Sequence, residues 1–287
     1  MIIKNGIWSS VKRGKNFSKL NPNPSLVRLA TTTSTNDTGL LCELVPAFNA
    51  SQPLYEVQWT SVGTGAALDL GRVGMADVCL THAQALEEDF VNCGFGLHRQ
   101  ELMYNNFVVV GDNTQTPGVN TVFNLFQYIL SNHNTFFVSR ADNSGTNNRE
   151  LEVWSALGIT NPAVTLGNRY IESGLGMRDA LNLTAEMADC NYPAYCLSDD
   201  GTWFSAMDDL DDFLQLFSTV SDKYSRNQYA VLPVNPNAPW DPPTPAPIIN
   251  ALGAAAFEAW LLDDEAETII TEFVINGHQL FTYNAHD

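Results

Sequence analysis

The sequence predicts an α/β protein of two similar lobes, each built on a largely parallel sheet, joined by two extended runs of chain. Three observations carry this expectation. From residue 26 onward short apolar strands alternate with helical stretches of about ten residues, the pattern of βα units around a parallel sheet. The alternation occurs twice, once before residue 101 and again after residue 120. Two unusually long extended runs, 101–111 and 228–235, stand where a double-strand hinge would join the two units.

In order, the first unit reads as strand 26–30, helix 39–49, strand 55–61, helix 65–71, strand 76–81 and helix 84–93. The opening strand is apolar and runs into five consecutive hydroxyl residues, Thr31 to Thr35, then an Asn36-Asp37-Thr38-Gly39 turn. In Tyr55-Glu56-Val57-Gln58-Trp59 the period-two alternation of a strand is explicit. The extended run 101–111 ends at Gly111 and Asp112. The second unit reads as helix 121–131, strand 135–139, helix 147–157, a strand near 169–172 and helix 177–189. After the run 228–235 come a Pro-rich loop, 236–247, and helices 248–263 and 265–275. These elements place 26–104 with 235–287 in lobe 1 and 105–234 in lobe 2, with 1–25 as a flexible basic arm.

Composition narrows the function classes. A chain of 287 residues can bury a large core, and no apolar run approaches the ~18 residues that cross a membrane. The net charge of −18 argues against nucleic acid or an anionic membrane as partner. A small anion in a closed cleft is another matter, because it feels local N–H and hydroxyl dipoles far more than distant, screened charge. The basic residues concentrate at the start: Lys4, Lys12, Arg13, Lys15 and Lys19 all precede the first acid, Asp37. This segment lacks the apolar stretch of a signal peptide, and the expectation is that a signal segment is absent from this chain, as it would be if removed beforehand. It reads as a poorly ordered arm, an engineered leader or a processing remnant near Lys12-Arg13. The five cysteines fit no zinc spacing. Cys190 and Cys196 bracket a short loop and are expected to pair. Cys79 and Cys93 read either as a second pair or as buried thiols, and Cys42 is left over. Sequons at Asn16, Asn36, Asn49 and Asn182 are about as many as this composition gives by chance.

The hydroxyl run Thr31 to Thr35 can act as a simple helix cap or as an anion cradle, since first-turn N–H groups lack partners and carry partial positive charge. Recurrence favours the cradle. A second strand, Phe136-Phe137-Val138, runs into Ser139 and Arg140, and Asp142-Asn143-Ser144-Gly145 answers Asn36-Asp37-Thr38-Gly39. Two more glycine-bearing helix starts follow strands, at 60–70 and 172–183. None matches the phosphate-loop pattern or Gly-x-Gly-x-x-Gly, which excludes the usual nucleotide sites. In an open α/β sheet ligands sit beyond the carboxyl ends of the strands, so Thr31–Ser34 and 139–146 are expected to meet across the cleft.

These residues carry a resemblance. TTTSTNDTGLL, VGTGAALDLGRVGMADVCLTHA, MYNNFVVVG, FVSRADNSGTNNRELEVW and ESGLGMRDALNLTAE, in that order, resemble the tungstate-binding extracellular receptors of bacterial ABC importers, with the type II periplasmic-binding-protein fold. The likeness runs from about residue 26 to 283. It implies a Venus flytrap that closes on a tetrahedral oxyanion, tungstate or molybdate, and a membrane transporter as partner. It also implies an extracellular or periplasmic location. Carried over, the ligand contacts are Thr32, Thr33, Ser34, Ser61 or Thr64, Arg140, Ser144 and Thr146. Arg178 departs from the family, where a small residue is expected, and so does Asp200, at an Arg position. The cysteines, the sequons and the lack of a lipobox cysteine fit a secreted eukaryotic relative.

The chemistry stands beside the resemblance. A tetrahedral dianion with no proton only accepts hydrogen bonds, so its site offers hydroxyls, N–H groups and a guanidinium. Hydrogen phosphate would need an acceptor, for which Asp37 or Asp142 could serve; otherwise both brace turns. An enzyme on the same fold would need a catalytic Lys or a His/Cys site. Lysine is nearly absent beyond residue 20, and His82, His98, His133, His278 and His286 are scattered. The expectation is a monomeric binding protein without catalytic activity, cofactor or metal. The alternative is an extracellular recognition protein whose cleft is ligand-free or takes phosphate or another anion. Asp208-Asp209-Leu210-Asp211-Asp212 lacks calcium-loop spacing and reads as a solvated helix face.

Overall fold

The computed structural model describes residues 24–240 and 246–286. Most of the basic arm and the middle of the Pro-rich loop lie outside the described residues. In the first lobe the chain runs β1 (Ser25–Thr32), α1 (Thr33–Asp37), α2 (Leu41–Ser51), β2 (Tyr55–Val62), α3 (Thr64–Arg72), β3 (Val78–Thr81) and α4 (Gln84–Asn92). β1 lies between β2 and β3 and is parallel to both, as the βα alternation requires. The hydroxyl run is divided: Thr31 and Thr32 end the strand and Thr33 opens a single helical turn.

The long β4 (Gln100–Asp112) crosses to the second lobe. There follow α5 (Val122–Ser131), β5 (Phe136–Ser139), α6 (Gly145–Ala156), α7 (Pro162–Leu166), β6 (Tyr170–Glu172), α8 (Met177–Asp189), β7 (Ala194–Asp199), α9 (Asp200–Leu210) and β8 (Leu214–Leu216). The chain returns through β9 (Arg226–Pro233) to α10 (Ala251–Leu261), α11 (Asp264–Glu272), β10 (Val274–Ile275), β11 (His278–Gln279) and β12 (Thr282–Tyr283). Strand order across the molecule is β2-β1-β3-β9-β4-β7-β5-β6. β4 pairs with β9 as far as Asn106, then with β7 from Phe107. One strand thus belongs to both sheets, and the Phe107 N–H donates to the Ser225 carbonyl of the returning chain at 2.6 Å. This is the two-lobed, two-crossing architecture expected.

Each lobe has its own core. Val27, Leu29, Leu44, Phe48, Phe257 and Trp260 pack in the first, where Phe48 meets Phe257 edge-on at 5.0 Å. Phe126, Phe137, Trp154 and Tyr195 fill the second. Phe204 of α9 packs against clusters of both lobes and stacks on His278 at 4.2 Å.

Two findings differ from the sequence reading. It passes over α1, α7, β7 and β8, and of α9 it reads only the end, as a solvated helix face at 208–212. β7 is paired on both sides and buried along its whole length, so it shows no alternation, only Ala194 to Leu197 behind Pro193. The cysteines do not pair: all five are free. Cys196 is buried in β7 with its Sγ on the Leu197 carbonyl, whereas Cys190 lies exposed at the end of α8. Cys79 faces the core beside Ala67, and Cys93 and Cys42 are exposed.

Candidate functional site

A cavity of about 470 Å³ lies between the lobes, where the starts of α1, α3, α6 and α8 converge. Thr33, Gly63, Gly65, Asn143, Gly176 and Met177 line it together with Arg140. Two of these helix starts are open by construction of the sequence. α3 and α8 have Gly63 and Gly176 at the N-cap and no side chain bonded to their first-turn N–H groups. Away from the cavity, α5, α7, α9, α10 and α11 are closed by Thr121, Asn161, Asp199, Asn250 and Asp263, while α2 and α4, behind Leu40 and Ala83, also lack a side-chain cap. A glycine cap forgoes that side-chain bond and leaves N–H donors and the positive end of the helix dipole facing the cavity.

The lobes touch around this space. A methyl group at Gly65 would lie 3.3 Å from Asn143 Nδ2, and one at Gly145 would lie 2.6 Å from His82 Cε1. Only glycine lets α6 begin against the His82 ring.

The predicted residues fall as follows. Thr33 and Arg140 line the cavity. Thr32 is buried as the N-cap of α1, its Oγ1 within 3.1 Å of Ser34 Oγ and 2.7 Å of Thr35 Oγ1. Ser144 caps α6 by accepting from the Asn147 N–H. Thr64 and Thr146 open α3 and α6, and both hydroxyls are buried without a hydrogen-bond partner. Ser61, half-buried, lies next to the end of β2 beside Thr31; like Thr32, Ser34, Thr64, Ser144 and Thr146, it does not itself line the cavity.

Arg140 is 5 % exposed. Its Nη2 donates to Asp142 Oδ2 at 2.6 Å, while its Nε is buried and unpaired. Asp142 also accepts from the Ser144 N–H, so its charge is matched on both sides. Ala141 and Asn143 hold positive φ of 48° and 57°, a strained path that turns this loop into the cavity. Glu150 anchors the loop from behind. It accepts from Ser139 Oγ at 2.6 Å, Trp154 Nε1 at 3.1 Å and Tyr170 Oη at 2.5 Å, and burial raises its carboxyl above the usual range. Arg178 lines the far rim, with Nη2 on Asp209 at 2.6 Å.

Sequence reasoning treats His82 as one of five scattered histidines, yet it is central. Its Nδ1 is 2.8 Å from Asn227 Oδ1 and its Nε2 3.1 Å from Ser34 Oγ, and it stacks on Tyr229 at 4.8 Å. Asn227 directs its Nδ2 at Asn105 Oδ1, which leaves its own Oδ1 as the acceptor. Nδ1 therefore carries the proton and Nε2 accepts from the Ser34 hydroxyl. Burial pulls the imidazole down to about 4, and the nearby Arg140 and Arg149 also oppose protonation, against the hydrogen bond to Asn227. His82 is neutral at neutral pH and ties Ser34 to both crossing strands. The Gly-Thr-Gly and Thr-Ser blocks are visible in sequence; this relay is not.

Two α/β lobes that share a crossing strand and close on a cavity of helix N-termini define a solute-binding protein of the Venus-flytrap class. A profile of the PBP superfamily domain matches residues 21–265. The chain is 40% identical over 264 residues to the tungstate-binding protein TupA of Peptoclostridium acidaminophilum, covering 90% of this chain and 85% of that one. It is 30% identical over 263 residues to TupA of Campylobacter jejuni, covering 88% of each. Among solved structures, the tungstate-binding protein TupA of Desulfovibrio alaskensis G20 superposes with a TM-score of 0.75 at 36% identity, over 91% of this chain and all of that one. The tungstate ABC transporter structure from Geobacter sulfurreducens gives 0.73 at 32%, over 88% of this chain and 100% of that one. The chain belongs to the periplasmic-binding-protein superfamily and, within it, to the TupA family of substrate-binding proteins.

Proposed function

We propose that this protein binds a tetrahedral oxyanion, tungstate first and molybdate next, between its lobes and delivers it to a membrane transporter. The observation that carries the reading is Arg140 Nε, a buried donor without a partner on a residue of the cavity wall, beside the uncapped starts of α3 and α8. Thr64 Oγ1 and Thr146 Oγ1, in the first turns of α3 and α6, are also buried and unpaired. Leaving a buried donor unpaired costs about 1–3 kcal/mol, and a bare dianion, which only accepts, satisfies several at once. In this reading Thr32, Thr33, Ser34, Thr64, Arg140, Ser144 and Thr146 form the ligand shell by hydroxyl, N–H or guanidinium, and Ser61 contributes from the end of β2. Because the Ser34 hydroxyl donates to His82, Ser34 offers the anion its N–H rather than its O–H.

The lobe division in this reading runs through Asn105–Asn106 and again near Arg226. Tyr229, Ala230, Val231 and Leu232 pack in first-lobe clusters, so β9 goes with the first lobe rather than with residues 105–225. The ABC transporter in the name of one structural relative supports a transporter partner; in the same reading the protein is extracellular or periplasmic and acts as a monomer that binds without catalysis. Calorimetric titration with tungstate, molybdate, sulfate and phosphate tests the proposal. Tight, one-to-one tungstate binding is expected, and no heat with any of the four would end it. Phosphate belongs in the set because Asp37 lines the cavity and its carboxylate receives only a 3.4 Å contact from Asn36.

A further inference from the structure

A second and larger groove of about 820 Å³ lies against β4 at Asn106 to Val108, next to α9 and β8. It shares no lining residue with the interlobe cavity. Phe107 of β4, Trp203, Phe204 and Met207 of α9, and Leu214 and Leu216 of β8 give it an apolar and aromatic portion, and polar residues including Ser218, Ser225 and His278 line the rest. Asp200, in the first turn of α9, also lines it and is 5 % exposed. One carboxylate oxygen, Oδ2, accepts from the Asn106 N–H and Nδ2 at 3.1 and 3.0 Å, while Oδ1 is buried with no partner. The neighbouring Asp199 is fully satisfied by the Thr202 N–H and Oγ1 at 2.8 and 2.7 Å. The groove has no Lys or Arg in its lining, and Asp211 adds a second acid.

We infer that this groove is a second binding site, for a small amphiphilic cation: a protonated amine on an apolar or aromatic body. Burial raises the Asp200 carboxyl to about 7, with Asp199 adding to the shift against the hydrogen bonds from Asn106. A buried carboxylate with a free oxygen and no countercharge is unfavourable, and an ammonium relieves it through a charge-assisted hydrogen bond. The rings of Phe107, Trp203 and Phe204 give the cation and its apolar body matching surface. A metal ion fits poorly, since no group of three His, Cys, Asp or Glu side chains gathers among the described residues. The groove is also placed to affect closure. Asn106 is the last β4 residue paired with β9, and His278 of the first lobe stacks on Phe204 at the groove's edge. An occupant that touches both couples its own binding to the lobe angle.

The test uses the full chain at pH 8, where the Asp200 carboxyl is mostly ionised. Phenethylammonium chloride is titrated calorimetrically, with 2-phenylethanol as its neutral match, into the wild type and Asp200→Asn. One-to-one binding of phenethylammonium is expected, at least tenfold weaker for the alcohol and at least tenfold weaker on Asp200→Asn. Asn keeps an acceptor for Asn106, and an unchanged tungstate titration reports that the variant is folded. Absence of phenethylammonium binding to the wild type overturns the inference. So does equal affinity of amine and alcohol on the wild type, which needs no variant. Equal amine affinity on a folded Asp200→Asn does the same. The result stands apart from the oxyanion reading: amine binding without tungstate binding would overturn only that reading.

Discussion

Replacing Arg140 by Ala tests the oxyanion site most sharply. The guanidinium is buried at the cavity, spends Nη2 on Asp142 at 2.6 Å and leaves Nε unpaired. A hydrogen bond from a charged donor contributes about 1.5–3 kcal/mol, which is roughly tenfold to 150-fold in affinity. The structure pushes the effect toward the upper end. Without Arg140, the Asp142 carboxylate keeps only the Ser144 N–H and faces the anion as a like charge on the cavity wall. Arg140→Ala with Asp142→Asn should therefore recover part of the loss, and the double-mutant cycle measures the repulsion. Arg140→Lys should recover part as well, because the charge returns without the planar fork. The side chain is buried and paired with Asp142, so the Tm of the ligand-free variant should fall by a few degrees. Calorimetry with tungstate at fixed ionic strength is the assay. A lowered Tm with tungstate affinity within twofold of wild type would mean that Arg140 only braces the loop and that the reasoning is wrong.

Thr64→Val should leave ligand-free stability unchanged or raised, since the hydroxyl it removes is buried and unpaired, while weakening tungstate binding about tenfold; a drop in Tm with intact affinity contradicts this. Asp200→Asn should gain stability relative to wild type as pH rises from 5 to 8. The folded carboxyl, raised to about 7 from an ordinary value of 3.8, makes the wild type lose stability across that window, and Asn has no proton to lose. Parallel Tm curves for the two proteins would refute it. For His82 the sign is opposite. Its folded value of about 4 lies below 6.5, so its contribution is complete above about 6.5 and is lost as pH falls toward 4. Nitrogen-15 NMR of the ring should report the Nδ1–H tautomer at pH 7, and an Nε2–H ring would reverse the assigned direction of the bond to Ser34.

The parts of this molecule that are legible in sequence are those whose physics is local. A strand that ends in Thr31 and Thr32, or in Ser139 and Arg140, followed by a small-residue helix start, announces its chemistry within a dozen residues. The starts of α3, α6 and α8 are readable for that reason, and parallel pairing in both lobes follows from the βα alternation; α1 is not, because Asn36 to Gly39 reads as a turn with the helix beginning at 39. His82 was not readable, because its partners Ser34 and Asn227 lie 48 and 145 residues away. Nor was Glu150, whose position along α6 looks like any helix acid until Ser139, Trp154 and Tyr170 close on it. The central strand β7 hid because burial on both faces erases the alternation that identifies a strand. The cysteine pairing failed on a similar point: spacing of six residues says nothing about which thiol a strand turns into the core.

The exchange of partners along β4 has a mechanical consequence. Its residues pair with β9 up to Asn106, through one register shift between Glu101 and Met103, and with β7 from Phe107, so a rotation of the lobes about this level would leave both ladders intact. The bend is left to the peptide between Asn106 and Phe107, and the Phe107 N–H is fastened to Ser225 on the returning chain. Two chains pinned side by side at one level make an axle rather than a ball joint. A swing about that axle would carry the lobes chiefly along one arc and would bring the four helix starts together at the cleft.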